Sequence, residues 1–335
     1  MKKLLPVLLC AAMLLCLLPL EARAAAAAWD GTVDISWYDP AQTEYTIDTP
    51  AKLAGLAALV NGMADPAAKA IVGDRSYLVS KKVDNVMLVG AGGGNVFDTV
   101  YTGGVDFAYK TIYLTADLDM GGRKAADGSW TGPNWTPIGG KFPMKPQEAS
   151  GDCLTLDTRF NGVLDGQGHT IYNLYCDRCA AKGFPYSMAV GVVGFLGGNA
   201  DYANGGNGEK TEAEFENGWQ PAVRNLVLGS GSIYGRRMVG GIVGRVGETS
   251  NGVVIENCGN RADVRNTDSK GVGGICGSAW GAGTIRGCYN TGTISTTYTC
   301  PAGGILGTNE GMDVYNCYNA GCIDTNGAQY GRGIG

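Results

Sequence analysis

The sequence predicts an all-β solenoid, a right-handed parallel β-helix, and three observations carry that prediction. First, VGGIVGRVGETSNGVVIENCGNRADV (239–264) returns as VGGICGSAWGAGTIRGCYNTGTI (272–294) and as AGGILGTNEGMDVYNCYNAGCI (302–323). The central glycine of each opening stands at Gly241, Gly274 and Gly304, 33 and 30 residues apart, and Gly333 opens a fourth copy 29 residues on. A period of this size marks units that bury their apolar face only against a neighbouring copy. Second, each copy carries an apolar residue, a variable one, Asn or Gly, then Cys: Ile255-Glu256-Asn257-Cys258, Ile285-Arg286-Gly287-Cys288 and Val314-Tyr315-Asn316-Cys317. Leu replaces Cys in Ile171-Tyr172-Asn173-Leu174 and Val223-Arg224-Asn225-Leu226. Asn and Gly tolerate left-handed backbone, so the third position reads as a one-residue corner between short strands. Third, the segments are short, rich in Gly and β-branched residues, and hold no 3.6-residue period, which argues for strands over helices.

The elements follow in chain order. Lys2 and Lys3 precede an apolar run over 4–20, and Ala22-Arg23-Ala24 offers a small-x-small cleavage site. Residues 1–24 are therefore expected to be a signal peptide cleaved near Ala24, leaving an exported, secreted or cell-surface chain. Residues 25–110 read as an N-terminal segment with an insertion. Within it Thr49 caps and Pro50 opens a helix over 50–61; Leu53, Leu56, Ala57 and Val60 make its apolar face, and Asn61-Gly62 ends it. That helix is expected to cover the open strand edges of the first coil. TIYLTADL (111–118) alternates as a strand, and 111–335 read as the β-helix, with a polar insertion over 199–222 and a stop in mid-repeat. A third strand begins at Val264, Ile294 and Ile323, nine residues after the first apolar position of each copy.

Stacked coils rise about 4.8 Å each and bring like residues over one another. Structural ladders are expected at the corner (Asn257, Gly287, Asn316), inside it as reduced, buried thiols (Cys258, Cys288, Cys317), and at the next bend (Asn260, Asn290, Asn319), where amides hydrogen-bond along the axis. One ambiguity bears on binding. Ile242 and Val243 are adjacent, as are their counterparts, so one set points outward unless a bulge intervenes. An outward stripe of Val193, Val243, Cys276 and Leu306 would be covered by loops or would be a binding surface.

The search for chemistry returns little. With one histidine, His169, an H-E-x-x-H zinc site is excluded, and the Gly-rich bend DGQGHTI favours a structural role for it. Asp117, Asp119 and Asp127 fit no EF-hand, because Gly128 stands where the twelfth-position Glu belongs. GAGGG at 90–94 lacks the Lys-Ser/Thr of a P-loop. Acids do not recur at a common phase of the coil: Glu256 has Arg286 and Tyr315 as counterparts, so the paired carboxylates of a polysaccharide hydrolase are not visible. The denser acids Asp201, Glu209, Glu212, Glu214 and Glu216 lie in the polar insertion, a solvated loop or a recognition feature. Cys176 and Cys179 have metal-ligand spacing without a second pair, so a loop disulfide or free thiols are favoured over zinc. No catalytic, cofactor-binding or metal-binding residue is expected.

The formal charge is −5, and removing 1–24 takes away three basic residues and one acid, giving −7. Such acidity argues against nucleic acid or an anionic membrane surface as partner, and no later apolar run reaches the length of a membrane span. A monomer is expected. Fifty-five glycines sit beside 44% hydrophobic residues, too many for a disordered Gly-rich chain.

YLTADLDMGG, NWTPIGG (134–140), RFNGVLDGQGHTIYNLY (159–175), GVVGFLGG (191–198) and the GGI-x-G cycles together resemble bacterial surface proteins with GLUG-type repeats. These are similar to the β-helical N-terminal region of IgA-cleaving metallopeptidases. The resemblance implies a right-handed β-helix on a cell-wall-associated protein of Gram-positive type, and it implies no protease activity in the repeats. The leading expectation is a non-catalytic stalk or adhesin-like module facing a host or cell-wall glycan or protein. A carbohydrate-active β-helix enzyme, lyase or hydrolase, and the N-terminal region of a larger surface metalloprotease remain as alternatives.

Overall fold

EYTI at Glu44–Ile47 and TIYL at Thr111–Leu114 each place alternate residues in the core, and they pair parallel and in register. The computed structural model describes residues 27–62, 82–89, 95–101, 104–143, 155–179, 189–198, 214–268, 270–297 and 300–325. The expectations for 1–24, for 90–94 and for Asp201, Glu209 and Glu212 lie outside the described residues. Below the first two rungs the same sheet continues through Val163–Asp165, Ala222–Arg224, Val253–Glu256, Gly283–Arg286 and Met312–Tyr315, seven strands in all. The parallel sheet thus starts at Glu44, ahead of the expected 111, because EYTI carries the same alternation as the later rungs.

Each cycle then visits further parallel sheets. Residues 253–286 show the full circuit: after Val253–Glu256 come Gly259–Asn260, Asp263–Asn266, Val272–Gly273 and Cys276–Ala279, before the chain returns to the first sheet at Gly283–Arg286. The equivalents of these strands stack into sheets of six, five, three and four strands. The result is a solenoid of stacked parallel sheets. Its core is made of columns rather than layers. Tyr45, Ile112, Leu164, Val223, Ile255, Ile285 and Val314 succeed one another down the first sheet. Cys176, Ile233, Val264, Ile294 and Ile323 do so down the five-stranded sheet. A branched aliphatic side chain fully removed from water contributes about 1.5–3 kcal/mol, so stacking, not local preference, holds these short strands.

The one α-helix among the described residues, α1 (Pro50–Asn61), begins as its sequence requires. Thr49 Oγ1 accepts from the Lys52 N–H at 3.3 Å, Pro50 fills the first turn, and Gly62 ends it with φ 50°. It is buried on nearly every side, not along one stripe. A Cβ on Gly55 would lie 2.0 Å from Asp34 O, and one on Gly104 would lie 1.7 Å from Leu59 O, so chain from both flanks presses on the helix. Asn61 is fully buried at its end. Its amide donates to Pro137 O (2.9 Å) and accepts from the Gly139 N–H and the Thr158 hydroxyl (both 3.0 Å), which ties the helix to two later segments.

The paired apolar residues of the GGI-x-G cycles resolve through a bend. The N–H groups of Ile242 and Val243 both donate to Ile275 O (3.1 and 2.9 Å), and those of Ile275 and Cys276 both donate to Ile305 O (3.0 and 2.9 Å). Two donors on one carbonyl interrupt the alternation as a bulge does. Ile242, Val243, Ile275, Cys276 and Ile305 are all fully buried, as is Val193, and Leu306 is 2% exposed. The stripe of Val193, Val243, Cys276 and Leu306 is therefore not exposed and offers no binding surface. The central glycine of each opening has its own reason: a Cβ on Gly241, Gly274 or Gly304 would meet the side chain of Asn260, Asn290 or Asn319 at 2.6, 2.4 or 2.3 Å.

Candidate functional site

The corner after the first sheet takes left-handed backbone in four cycles, with φ of 53° at Asn225, 52° at Asn257, 62° at Gly287 and 53° at Asn316. Asn173 (φ 56°), expected as a further copy of this corner, instead follows Thr170–Tyr172 of the six-stranded sheet, one bend further on, because Val163–Asp165 takes the first-sheet place in its coil. Along the axis Asn257 Nδ2 donates to Asn225 Oδ1 (3.2 Å), and Asn225 Nδ2 donates to Asp165 Oδ1 (3.1 Å). Asn257 Oδ1 then lies where a Cβ of Gly287 would be, 2.6 Å away, so this rung takes glycine. Beside the amides runs a charged column, Asp165, Arg224, Glu256, Arg286 and Tyr315, in register. Arg224 Nε meets Asp165 Oδ2 at 2.9 Å, and Arg286 Nε meets Glu256 Oε2 at 2.6 Å. Burial alone would raise the Asp165 carboxyl, but bonds from the Asn225 amide, the Gln167 N–H and Arg224 hold it below the ordinary carboxylate value.

Inside the corner Cys258, Cys288 and Cys317 stack as free thiols. The Cys258 N–H donates to Cys288 Sγ (3.5 Å) and the Cys288 N–H to Cys317 Sγ (3.4 Å). Their mutual hydrogen bonds, together with burial, raise the Cys288 and Cys317 thiols above their ordinary value. One bend further, Asn260 Nδ2 donates to Asn290 Oδ1 and Asn290 Nδ2 to Asn319 Oδ1, both at 2.7 Å. The same amides bind backbone two residues on, at Ala262, Gly292 and Gly321.

Outside the corner the surface is aromatic. Tyr172, Tyr315 and Tyr318 are 41, 44 and 56% exposed; Tyr315 and Tyr318 flank the corner residue Asn316, and Tyr172 stands on the adjoining six-stranded sheet, beside Asn173. Tyr289 and Tyr318 stack with centroids 5.6 Å apart and planes 12° from parallel. The Tyr289 ring lies over Gly259, where a Cβ would be 2.2 Å from it. Gly259 is in register with Val227, and Val227, Gln167, Gly168, Asn225 and Asn257 line an open depression of about 410 Å³. Tyr289 and Tyr318 continue, in register, the column of Val227 and Gly259 that begins at this depression. Sequence reasoning missed the tyrosines, although the recurrence of CYN just after the corner, at Tyr289 and Tyr318, was a usable signal.

The remaining candidates are tied into their own loops. His169 Nδ1 lies 3.0 Å from Asp117 Oδ1, which also accepts from the Thr170 N–H. Asp119 accepts from the Gly121 N–H and the Asn173 amide, and Asp127 accepts from Ser129. Among the described residues no cluster of three His, Cys, Asp or Glu could hold a metal ion. Cys176 and Cys179 are free; the first is buried against Trp135 O and the second faces the Thr267 hydroxyl. Glu214 and Glu216 are exposed. Their segment is pinned by the Phe215 N–H to Ser250 and the Glu216 N–H to the Tyr109 hydroxyl, away from the corner residues.

Residues 268–295 match the GLUG motif family. They run through one circuit, from the loop after Asp263–Asn266 to the rung beneath it at Ile294–Thr296. The chain carries a GLUG motif in this circuit. Over 142 residues the chain is 33% identical to Halomucin of Haloquadratum walsbyi (strain DSM 16790 / HBSQ001), a stretch that covers 40% of the chain and 1% of that protein. A crystal structure of a Bacteroides ovatus protein, provisionally assigned as an immunoglobulin A1 protease, is also similar. It has a TM-score of 0.38 and 21% identity, over 81% of this chain and 63% of that one. The chain thus spans a small fraction of Halomucin and less than two thirds of the Bacteroides structure.

Proposed function

We propose that the chain is a non-catalytic, right-handed β-helical module of an exported surface protein, adhesin-like, and that its amide-and-tyrosine corner face holds a glycan. One observation carries this reading: exposed tyrosines at the corner and along the adjoining six-stranded sheet share a face with a depression lined with amides. Aromatic faces accept the apolar C–H faces of pyranoses, and amides both donate to and accept from their hydroxyls. Repetition down the axis presents these groups at the spacing of successive coils, which suits an extended ligand. The right-handed sense is the one parallel crossovers prefer.

The carboxylates of this face support binding over cleavage. An inverting or retaining glycosidase needs one carboxyl kept protonated by a raised pKa. Here Asp165 is held low, and Glu256 is paired with Arg286. The test is retention of the purified chain on an array of host and cell-wall glycans, alongside a reducing-end assay with and without calcium or zinc. Retention that weakens at least several-fold in Tyr315→Ala and Tyr318→Ala, without release of reducing ends, is the expected result. Turnover that disappears in Glu256→Gln would instead make the chain an enzyme.

A further inference from the structure

Arg261 stands among the tyrosines of this face. It follows the inward-pointing Asn260, and its N–H donates to Leu228 O at 2.8 Å, so its side chain leaves the sheet outward. In the coil above, Gly229 holds the equivalent position, and the Tyr172 ring lies over it, 2.9 Å from where a Cβ would be. Beneath, Tyr289 lies over Gly259 and its hydroxyl accepts from Arg261 Nη2 at 3.2 Å, with the guanidinium 5.9 Å from the ring centroid. Two glycines therefore admit two rings, and the rings flank one cation.

The other arginines bordering the corner carry counter-charges: Arg224 has Asp165 and Arg286 has Glu256. Arg261 has none. Among the described residues its hydrogen bond goes to a phenol, and Asp263 on the same coil faces Lys124 at 3.4 Å instead. One of five guanidinium donors is used at Tyr289, which leaves a planar fork open for a carboxylate. The chain as a whole is acidic, at −5, so it does not draw polyanions over a distance. Discrimination here belongs to one short-range contact.

We infer that the Tyr172–Arg261–Tyr289–Tyr318 cradle recognises a carboxylate-bearing pyranose, with the carboxylate on Arg261 and the sugar ring against the tyrosines. The inference rests on the glycan-binding reading and names its ligand class. A uronate within a chain and a terminal sialate share this chemistry. The experiment titrates the full chain with trigalacturonate against its methyl ester, and with sialyllactose against lactose. An acidic probe is expected to bind about tenfold more tightly than its neutral counterpart, as charge-assisted hydrogen bonds do. Whichever pair shows the difference identifies the source. Arg261→Gln should bring acid and neutral probes to parity, while Tyr318→Ala should weaken both alike. Parity in the unaltered chain, or a preference that survives Arg261→Gln, overturns the inference and leaves glycan binding standing. No response to any of the four probes, with retention of other glycans on the array, also overturns the inference alone. Absence of retention of every glycan overturns the broader reading itself.

Discussion

Asn290 shows how much one side chain can hold. It donates to Asn319 and to Gly292 O, accepts from Asn260, and is fully buried. Leucine would match its volume but strand the Asn260 donor and the Asn319 acceptor. An unsatisfied buried polar group costs about 1–3 kcal/mol, so Asn290→Leu is expected to lower stability by at least that amount in urea unfolding, despite the added apolar surface. The thiols give a second residue-scale prediction. Burial pushes Cys176 and Cys276 up to about 12, so almost no thiolate exists near neutral pH, whereas Cys322 is exposed. Iodoacetamide is expected to label Cys322 in the folded chain and to reach Cys176 and Cys276 only after denaturant, as read by peptide mass spectrometry. Asp165 sets an acid limb. Its pKa is depressed below 3.8 on folding, so its contribution is present above that value and is lost as pH falls through the lower folded value. Asp165→Asn is expected to flatten the fall of the thermal midpoint below about pH 4; an unchanged slope would assign that limb to other carboxylates.

At the scale of elements, α1 was readable because Thr49, Pro50 and Asn61-Gly62 are local signals that act within a turn. Its surroundings were not readable. The apolar face predicted one buried stripe, yet the chain at 34–37 and 104–105 closes over the other sides, and those contacts join residues distant in sequence. Asn61 is the sharpest case. As a helix-stop residue it looked local, but its amide binds Pro137, Gly139 and Thr158. Asn61→Ala is therefore expected to cost about 2–4 kcal/mol, more than the few tenths typical of an exposed helix end, because it leaves several buried groups unpaired. Amide exchange that accelerates at Gly139, as well as in the helix, would show the coupling.

Across the whole molecule, contacts pass from each coil to its neighbours, so damage should spread along the axis and fade with distance. Gly274→Val tests this. The new side chain would enter the space of Asn290 and approach Gly304 O, which lies 2.1 Å from an ideal Cβ. Protection from hydrogen exchange is expected to fall in the rungs Val243–Val246 and Leu306–Asn309 and to hold at Glu44–Ile47. Equal loss everywhere would mean that the chain unfolds as one unit and that its stacking is more cooperative than nearest-neighbour contact allows.

Period and corner chemistry decided the solenoid before any coordinate was known. Asn or Gly at a fixed place in each of the last four cycles meets a left-handed backbone that other side chains reach only at a cost of about 1–2 kcal/mol, and that constraint is written in one residue. Residue type also foreshadowed the amide ladder, since identical residues at one phase must stack in any parallel coil. What the tertiary structure alone decided were the relations between coils. Whether Val243 faces outward depended on two N–H groups sharing the carbonyl of Ile275, one coil away. Whether Tyr289 flanks Arg261 depended on Gly259 lying above it in register, 30 residues earlier in the chain. Local sequence reports what a residue's own backbone can do, and the register of stacked strands decides which residue it meets.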